Sequence, residues 1–214
     1  MTWAWDNRSP LGTMLAAHLV MALIPLLLGV LIAVPLGMVV ARTEASRRAA
    51  LGLCALFEAI PALAWFVVLP GLLQTTLSAR VNVVVGITLL TTFMLTRSVV
   101  TGLAEVPQQL VDTADALGFT PTARAWQVEL PAAVPTLVEG LRTAAVTAIG
   151  LATLAALIGG GGLGLTFTDG FATRSDAEVL SGAAVVAVLA ASVEVLLLRA
   201  QRALAPWARL APVR

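Results

Sequence analysis

Apolar runs of about twenty residues recur along this chain, and they constrain its fold more than any other feature. A helix rising 1.5 Å per residue needs about twenty apolar residues to cross about 30 Å of hydrocarbon. Runs of that kind fall at about 14–41, 51–69, 81–100, 136–158 and 180–198 of the 214 residues. The composition agrees: 59% of residues are hydrophobic and 12% charged, where a soluble domain carries about a quarter charged. The expected fold is therefore all-α and polytopic, with five transmembrane helices. Residues 1–13 form an extracytoplasmic lead, 14–204 one membrane domain, and 205–214 a cytoplasmic tail. The first apolar run, from about residue 11, is too long for the core of a secretion signal and is expected to remain as a span.

The charge pattern sets an orientation. All 13 basic residues are Arg, and the net charge is +1, which gives a nucleic-acid role no support. Arg42, Arg47 and Arg48 follow the first run, while Arg199, Arg202, Arg209 and Arg214 follow the last; the 169–178 segment is net acidic, with Asp169, Asp176 and Glu178 against Arg174. Positive charge accumulates on the cytoplasmic side, so the N-terminus is expected outside and the C-terminus inside.

Small residues recur every four positions in three runs: Gly29, Ala33, Gly37 and Ala41; Ala144, Ala148, Ala152 and Ala156; Ala183, Ala187 and Ala191. Each stripe predicts a face on which another helix approaches closely. Pro25 and Pro35 predict kinks in the first span. Glu58 and Pro61, in FEAIPALAW, lie inside the second. An acid beside a proline in a span points to a broken helix or one lining a polar cavity; an interfacial carboxylate, or one paired with an Arg, accounts for it equally. Residues 70–80 read as a short loop, and Arg97, near the end of the third span, is placed to snorkel.

Chemistry of the chain's own is not expected. Cys54 is the only cysteine and His18 the only histidine, so neither a disulfide within the chain nor a metal cluster can be built, and both residues read as packing positions. No nucleophile–base set or paired-carboxylate site assembles. Gly159, Gly161 and Gly164 satisfy G-x-G-x-x-G, but they follow a long apolar helix rather than a strand, which removes the dinucleotide reading. The run Gly159, Gly160, Gly161, Gly162 and Gly164 instead breaks a helix, as a plain turn or as a segment near a solute pathway that moves during gating. Glu139 and Arg142, three residues apart, are spaced to pair.

The polar exception between the spans is DTADALGFTPTARAWQVELP, residues 112–131, within a coupling loop at 105–135 that the orientation places in the cytoplasm. Pro107 and Gly118 bracket a short helix, with Leu110, Ala114 and Leu117 on one face and Gln108, Asp112 and Asp115 on the other. Thr120 reads as an N-cap before Pro121, opening a second short helix that ends at Pro131 and Pro135. A helix–glycine–helix knob of this kind suits a partner's groove; an ordinary surface loop is the alternative.

This stretch is similar to the EAA motif of type I ABC importer permeases. Asp112, Thr113 and Ala114 stand where that family has Glu-Ala-Ala; Asp115, Ala116 and Leu117 lead to the matching Gly118; Val128, Leu130 and Pro131 match its end. AIPALAW, GLRTAAV and IGLATLAALIGGGGLG resemble the osmoprotectant subgroup, permeases for glycine betaine, carnitine, choline or proline betaine. The resemblance spans about 14–204, with departures at FEAIPALAW and LTRSVVTG. It implies a multi-pass permease subunit in a prokaryotic cell membrane, half of a translocation pathway completed by a second permease, the same chain or a related one. It also implies that the knob seats in an ABC ATPase subunit, which binds ATP and Mg²⁺ and hydrolyses the nucleotide, and that an extracytoplasmic binding protein delivers the solute. No cofactor is then expected in this chain, and its partners are those proteins and membrane lipid. A permease for an amino acid is the alternative within the same machine. A standalone secondary carrier is the alternative outside it, and five spans without an internal repeat argue against that.

Overall fold

A computed structural model describes residues 2–76 and 80–209; Arg214 of the expected tail lies outside them. The described residues form helices and connecting turns, with no strand among them. In chain order the helices are α1 (Thr2–Asp6), α2 (Arg8–Val40), α3 (Glu44–Ala59), α4 (Ala62–Leu73), α5 (Arg80–Ala104), α6 (Gln108–Ala116), α7 (Pro121–Arg124), α8 (Leu130–Leu154), α9 (Leu165–Thr173) and α10 (Asp176–Leu204). Four helical stretches are long and apolar enough to cross a membrane: 8–40, 80–104, 121–158 and 176–204. The pair α3–α4 makes a fifth if counted as one bent span, its halves meeting at 97°.

The prolines of α2–α4 do not act alike. α2 runs unbroken through Pro25 and Pro35. At Pro61 the chain turns, because proline pushes the preceding residue out of the helical region: Ile60 is extended, with ψ 125°, and Pro61 serves as the N-cap of α4. The missing N–H of Pro61 costs nothing at a helix start, where donors lack partners anyway. Pro70 sits within α4, which extends to Leu73 before Gln74 closes it in a left-handed conformation. The loop expected at 70–80 therefore begins four residues later, and its residues 77–79 lie outside the described set.

α5 is the central helix, packed against α2, α8, α3 and α4. Two of the three small-residue stripes are buried against these neighbours. Gly29, Ala33 and Gly37 lie against α5, where a Cβ on Gly29 would sit 2.5 Å from Thr91 Oγ1 and one on Gly37 2.6 Å from Val99 Cβ. Ala144, Ala148, Ala152 and Ala156 are buried too. The core joins Met21 and Ala22 of α2, Phe66 of α4, Val83, Ile87 and Leu90 of α5 and Ile149 of α8. The third stripe differs: Ala183, Ala187 and Ala191 are exposed, and only 6% of the apolar window of α10 is buried.

The glycine run folds as a packed turn against α2. Gly159, Gly161 and Gly162 adopt positive φ (83°, 85° and 71°), which costs glycine nothing. A Cβ on Gly162 would meet His18 at 3.2 Å. His18 is fully buried there, and Cys54 is buried and free. The 169–178 segment, expected as a polar loop, is largely helical. Asp169 lies in α9, Arg174 caps it in a left-handed conformation, Ser175 caps α10, and Asp176 and Glu178 occupy the first turn of α10, where acids suit the positive end of the helix dipole.

Candidate functional site

Two places carry the polar chemistry. The first is the knob. α6 ends in a complete Schellman motif: Gly118 N–H donates to the Asp115 carbonyl at 3.0 Å and Phe119 N–H to the Ala114 carbonyl at 3.1 Å. Gly118 has φ 81°, the conformation this motif requires at the residue after the cap. Thr120 then caps α7, its hydroxyl accepting from Ala123 N–H at 3.2 Å. Gln108 Nε2 donates to Asp112 Oδ1 at 2.9 Å along α6.

Arg124 ties the knob together. Its Nη1 reaches both Asp115 carboxylate oxygens, at 2.7 and 2.6 Å, and its Nε reaches Glu129 Oε1 at 2.6 Å. The second short helix does not end at Pro131 and Pro135. α7 passes through a π-helical turn at Ala125–Glu129 into α8, forming one stretch from 121 to 158. Leu130 N–H bonds to the Ala125 carbonyl across the widened turn, so Pro131, which has no N–H to give, follows without ending the helix. The knob is thus rigidly continuous with a span.

Most of the motif faces outward. Asp112, Thr113, Asp115, Ala116, Leu117, Gly118 and Pro131 are exposed, Leu130 is half-buried, and only Ala114 is buried. Leu110 and Leu117, expected on one apolar face with Ala114, are 45% and 73% exposed. A short helix with exposed leucines on an otherwise polar element offers contact area that none of the described residues covers.

The second place is a cavity of about 580 Å³ between the α3–α4 corner, α5 and α8. Glu58 and Pro61 line it from the corner, Met94, Arg97 and Ser98 from α5. α8 supplies Thr136, Glu139, Gly140, Thr143 and Thr147. Arg97 Nη1 donates to Glu58 Oε2 at 2.8 Å, so the broken-helix and Arg-pairing readings of Glu58 both describe the same corner, and Arg97 is paired rather than simply snorkelling. Beside it Phe57 stacks between Trp65, at 5.1 Å between ring centroids, and Phe93, at 4.0 Å. This stack packs α3, α4 and α5 together where the helix breaks.

Glu139 and Arg142 do not pair. Arg142 is turned toward α10, where it binds Glu194 and Gln201, while Glu139 lines the cavity. Both also line a second recess toward α10, where Glu194 rather than Glu139 holds Arg142. The glycine run does not line this cavity either; its place is the turn against His18. Thr143 and Thr147 are four residues apart like the alanines one position on, so the sequence carries this hydroxyl stripe by the same spacing.

The chain matches a family model described as binding-protein-dependent transport system inner membrane component over residues 26–210. It belongs to that family. Among similar proteins are the choline transport system permease protein OpuBB of Bacillus subtilis, 33% identical over 88% of this chain and 86% of that one, and the glycine betaine/carnitine/choline transport system permease protein OpuCB of the same organism, 30% identical over 96% and 94%. The osmoprotectant import permease protein OsmW of Salmonella typhimurium is 31% identical over 94% of each chain. Among solved structures, a chain of the inward-facing MetNI methionine ABC transporter in its native crystal form is similar at TM-score 0.81 and 21% identity, covering 91% of this chain and 95% of that one. The fold is thus that of a type I ABC importer permease, and the chain is a multi-pass membrane transport component.

Proposed function

We propose that this chain is the transmembrane permease subunit of an ATP-driven importer for quaternary ammonium compatible solutes: glycine betaine, carnitine, choline or proline betaine. The observation that carries the reading is the set of relatives named for choline, glycine betaine and carnitine transport, each aligned over most of both chains. In this reading the cavity contributes half of the pathway, completed by a second permease, and a binding protein outside the membrane delivers the solute. The knob seats in an ABC ATPase subunit, which binds ATP and Mg²⁺ and hydrolyses the nucleotide, while this chain carries no cofactor. The N-terminus faces outward and the C-terminus inward, as the arginine distribution favours.

The knob's chemistry supports the docking role. Leu110 and Leu117 give it exposed apolar area and Asp112 a carboxylate, and the helix-in-groove mode uses such anchors. Its continuity with α8 gives a path by which motion of a docked ATPase reaches the cavity wall. The reading is tested by purifying the tagged chain in mild detergent and measuring solute binding to its co-expressed binding protein by calorimetry. The expected outcome is co-purification of an ATPase subunit and binding of one or more betaines. Binding of amino acids alone would overturn the substrate class, and absence of an ATPase would overturn the machine.

A further inference from the structure

We infer that Glu139 is a charge-selecting residue of the cavity, holding a cationic ammonium headgroup in the solute's passage. The inference rests on the transport reading above and names a residue that acts within it. Three observations converge on Glu139.

The first is charge. Glu58 and Arg97 neutralise one another on the cavity wall, and Arg142, one turn from Glu139, is engaged by Glu194 across the α8–α10 interface. Among the described residues no hydrogen bond or salt bridge reaches the Glu139 carboxylate. Arg142 feels its charge at longer range but is already bound by Glu194, so Glu58, Arg97, Glu139, Arg142 and Glu194 together carry one excess negative charge.

The second is position. Glu139, Thr143 and Thr147 line both the 580 Å³ cavity and a second recess of about 490 Å³ toward α10. The three recur every four residues, so they form one ridge along α8 that separates the two recesses. The carboxylate stands on that ridge with hydroxyls above it, and both recesses see it.

The third is the nature of the walls. A quaternary ammonium group has no N–H to donate; it is held by apolar contact and by negative charge. The cavity offers Met94, Leu90, Ile60 and Leu151 as apolar wall and Glu139 as the carboxylate that no hydrogen bond or salt bridge takes up among the described residues. A carboxylate in that setting attracts a trimethylammonium cation and repels an anion, without demanding hydrogen bonds the solute cannot make.

The test reads charge selection directly, so that it does not depend on which solute the importer carries. In a Cys54→Ala background, Thr143→Cys places a thiol one helical turn from Glu139 in the full transporter complex. Its rates of modification are compared for 2-(trimethylammonium)ethyl methanethiosulfonate, a quaternary ammonium probe, and for the anionic 2-sulfonatoethyl reagent at low ionic strength. A unit charge about 6 Å away changes the local concentration of a monovalent ion about threefold even at the dielectric constant of water, so the cation-to-anion ratio is expected to fall about tenfold in Glu139→Gln. Glu139→Asp retains most of the ratio, and Glu178→Gln, which removes a carboxylate from the start of α10, leaves it unchanged. An unchanged ratio in Glu139→Gln, a fall of equal size in Glu178→Gln, or a thiol that neither reagent reaches overturns the inference. Choline and glycine betaine uptake by the unaltered complex, measured alongside, tests the substrate reading separately: a complex that carries neither overturns that reading and leaves the labelling result to stand or fall by itself.

Discussion

The knob and the cavity are held together on different scales. In the knob Arg124 reaches acids nine and five residues away, and the Schellman turn closes within six residues. The cavity is closed by Glu58 and Arg97, 39 residues apart, and the recess toward α10 by Arg142 and Glu194, 52 apart. A local element keeps its shape when the bundle around it shifts; a site assembled from distant helices changes whenever they move. That is the division of labour expected of a part that receives motion and a part that must alternate in shape. Breaking one should therefore leave the other standing.

The largest effect is expected at Gly118. Gly118→Val puts a β-branched side chain at φ 81°, at a cost of about 2 kcal/mol or more. A Cβ there meets nothing within 4 Å, so the damage is conformational rather than steric, and the knob loses its turn while the spans keep their packing. Uptake should fall at least tenfold with membrane insertion unchanged, and ATP hydrolysis by the complex should no longer respond to loaded binding protein. Normal uptake in this variant would mean the turn does not transmit motion.

The next effect belongs to the cavity. Glu58→Gln leaves Arg97 without its counter-ion, and Arg97→Gln does the same to Glu58. Each single change should lower stability in detergent by about 1 kcal/mol, about 2–4 °C in melting temperature for a chain of this size. The double change removes both charges together and should recover most of that loss. The knob should be untouched: co-purification of the ATPase stays at the level of the unaltered chain in all three. If the double variant is no more stable than the singles, the pair is not what closes the corner.

The same difference of scale governs what could be read from the residues alone. Gly118, Thr120 and Pro121 announce the knob because caps and left-handed turns are properties of a few adjacent residues, and the alanines and glycines of α2 and α8 announce close packing for the same reason. Arg142 illustrates the limit. Glu139 lies at a favourable spacing on its own helix, but α10 brings Glu194 and Gln201 to its other side, and no local rule contains that competition. The prolines make the point again: Pro25, Pro35 and Pro70 sit inside helices while Pro61 breaks one, and the outcome depends on whether the surrounding bundle leaves room for a corner. The Ala183, Ala187 and Ala191 stripe carries the same signature as the buried ones and is left exposed by the described residues.

The smallest effect is expected at Arg124, and it separates shape from docking within the knob. Arg124→Ala releases Asp115 and Glu129 together. The Asp115 contact is exposed and the Glu129 contact part-buried; an ion pair that water still reaches contributes about 1 kcal/mol, so the melting temperature should move by no more than a few degrees. The Schellman turn and the Thr120 cap use none of these atoms and should persist, keeping uptake within about fivefold of the unaltered chain by the same small energy. Arg124→Glu goes further, setting three carboxylates side by side where one cation bridged two, and should reduce uptake more than Arg124→Ala does. If Arg124→Ala abolishes uptake as completely as Gly118→Val, the turn alone does not define the knob, and the clamp between α6 and the π-helical turn is what carries motion into α8.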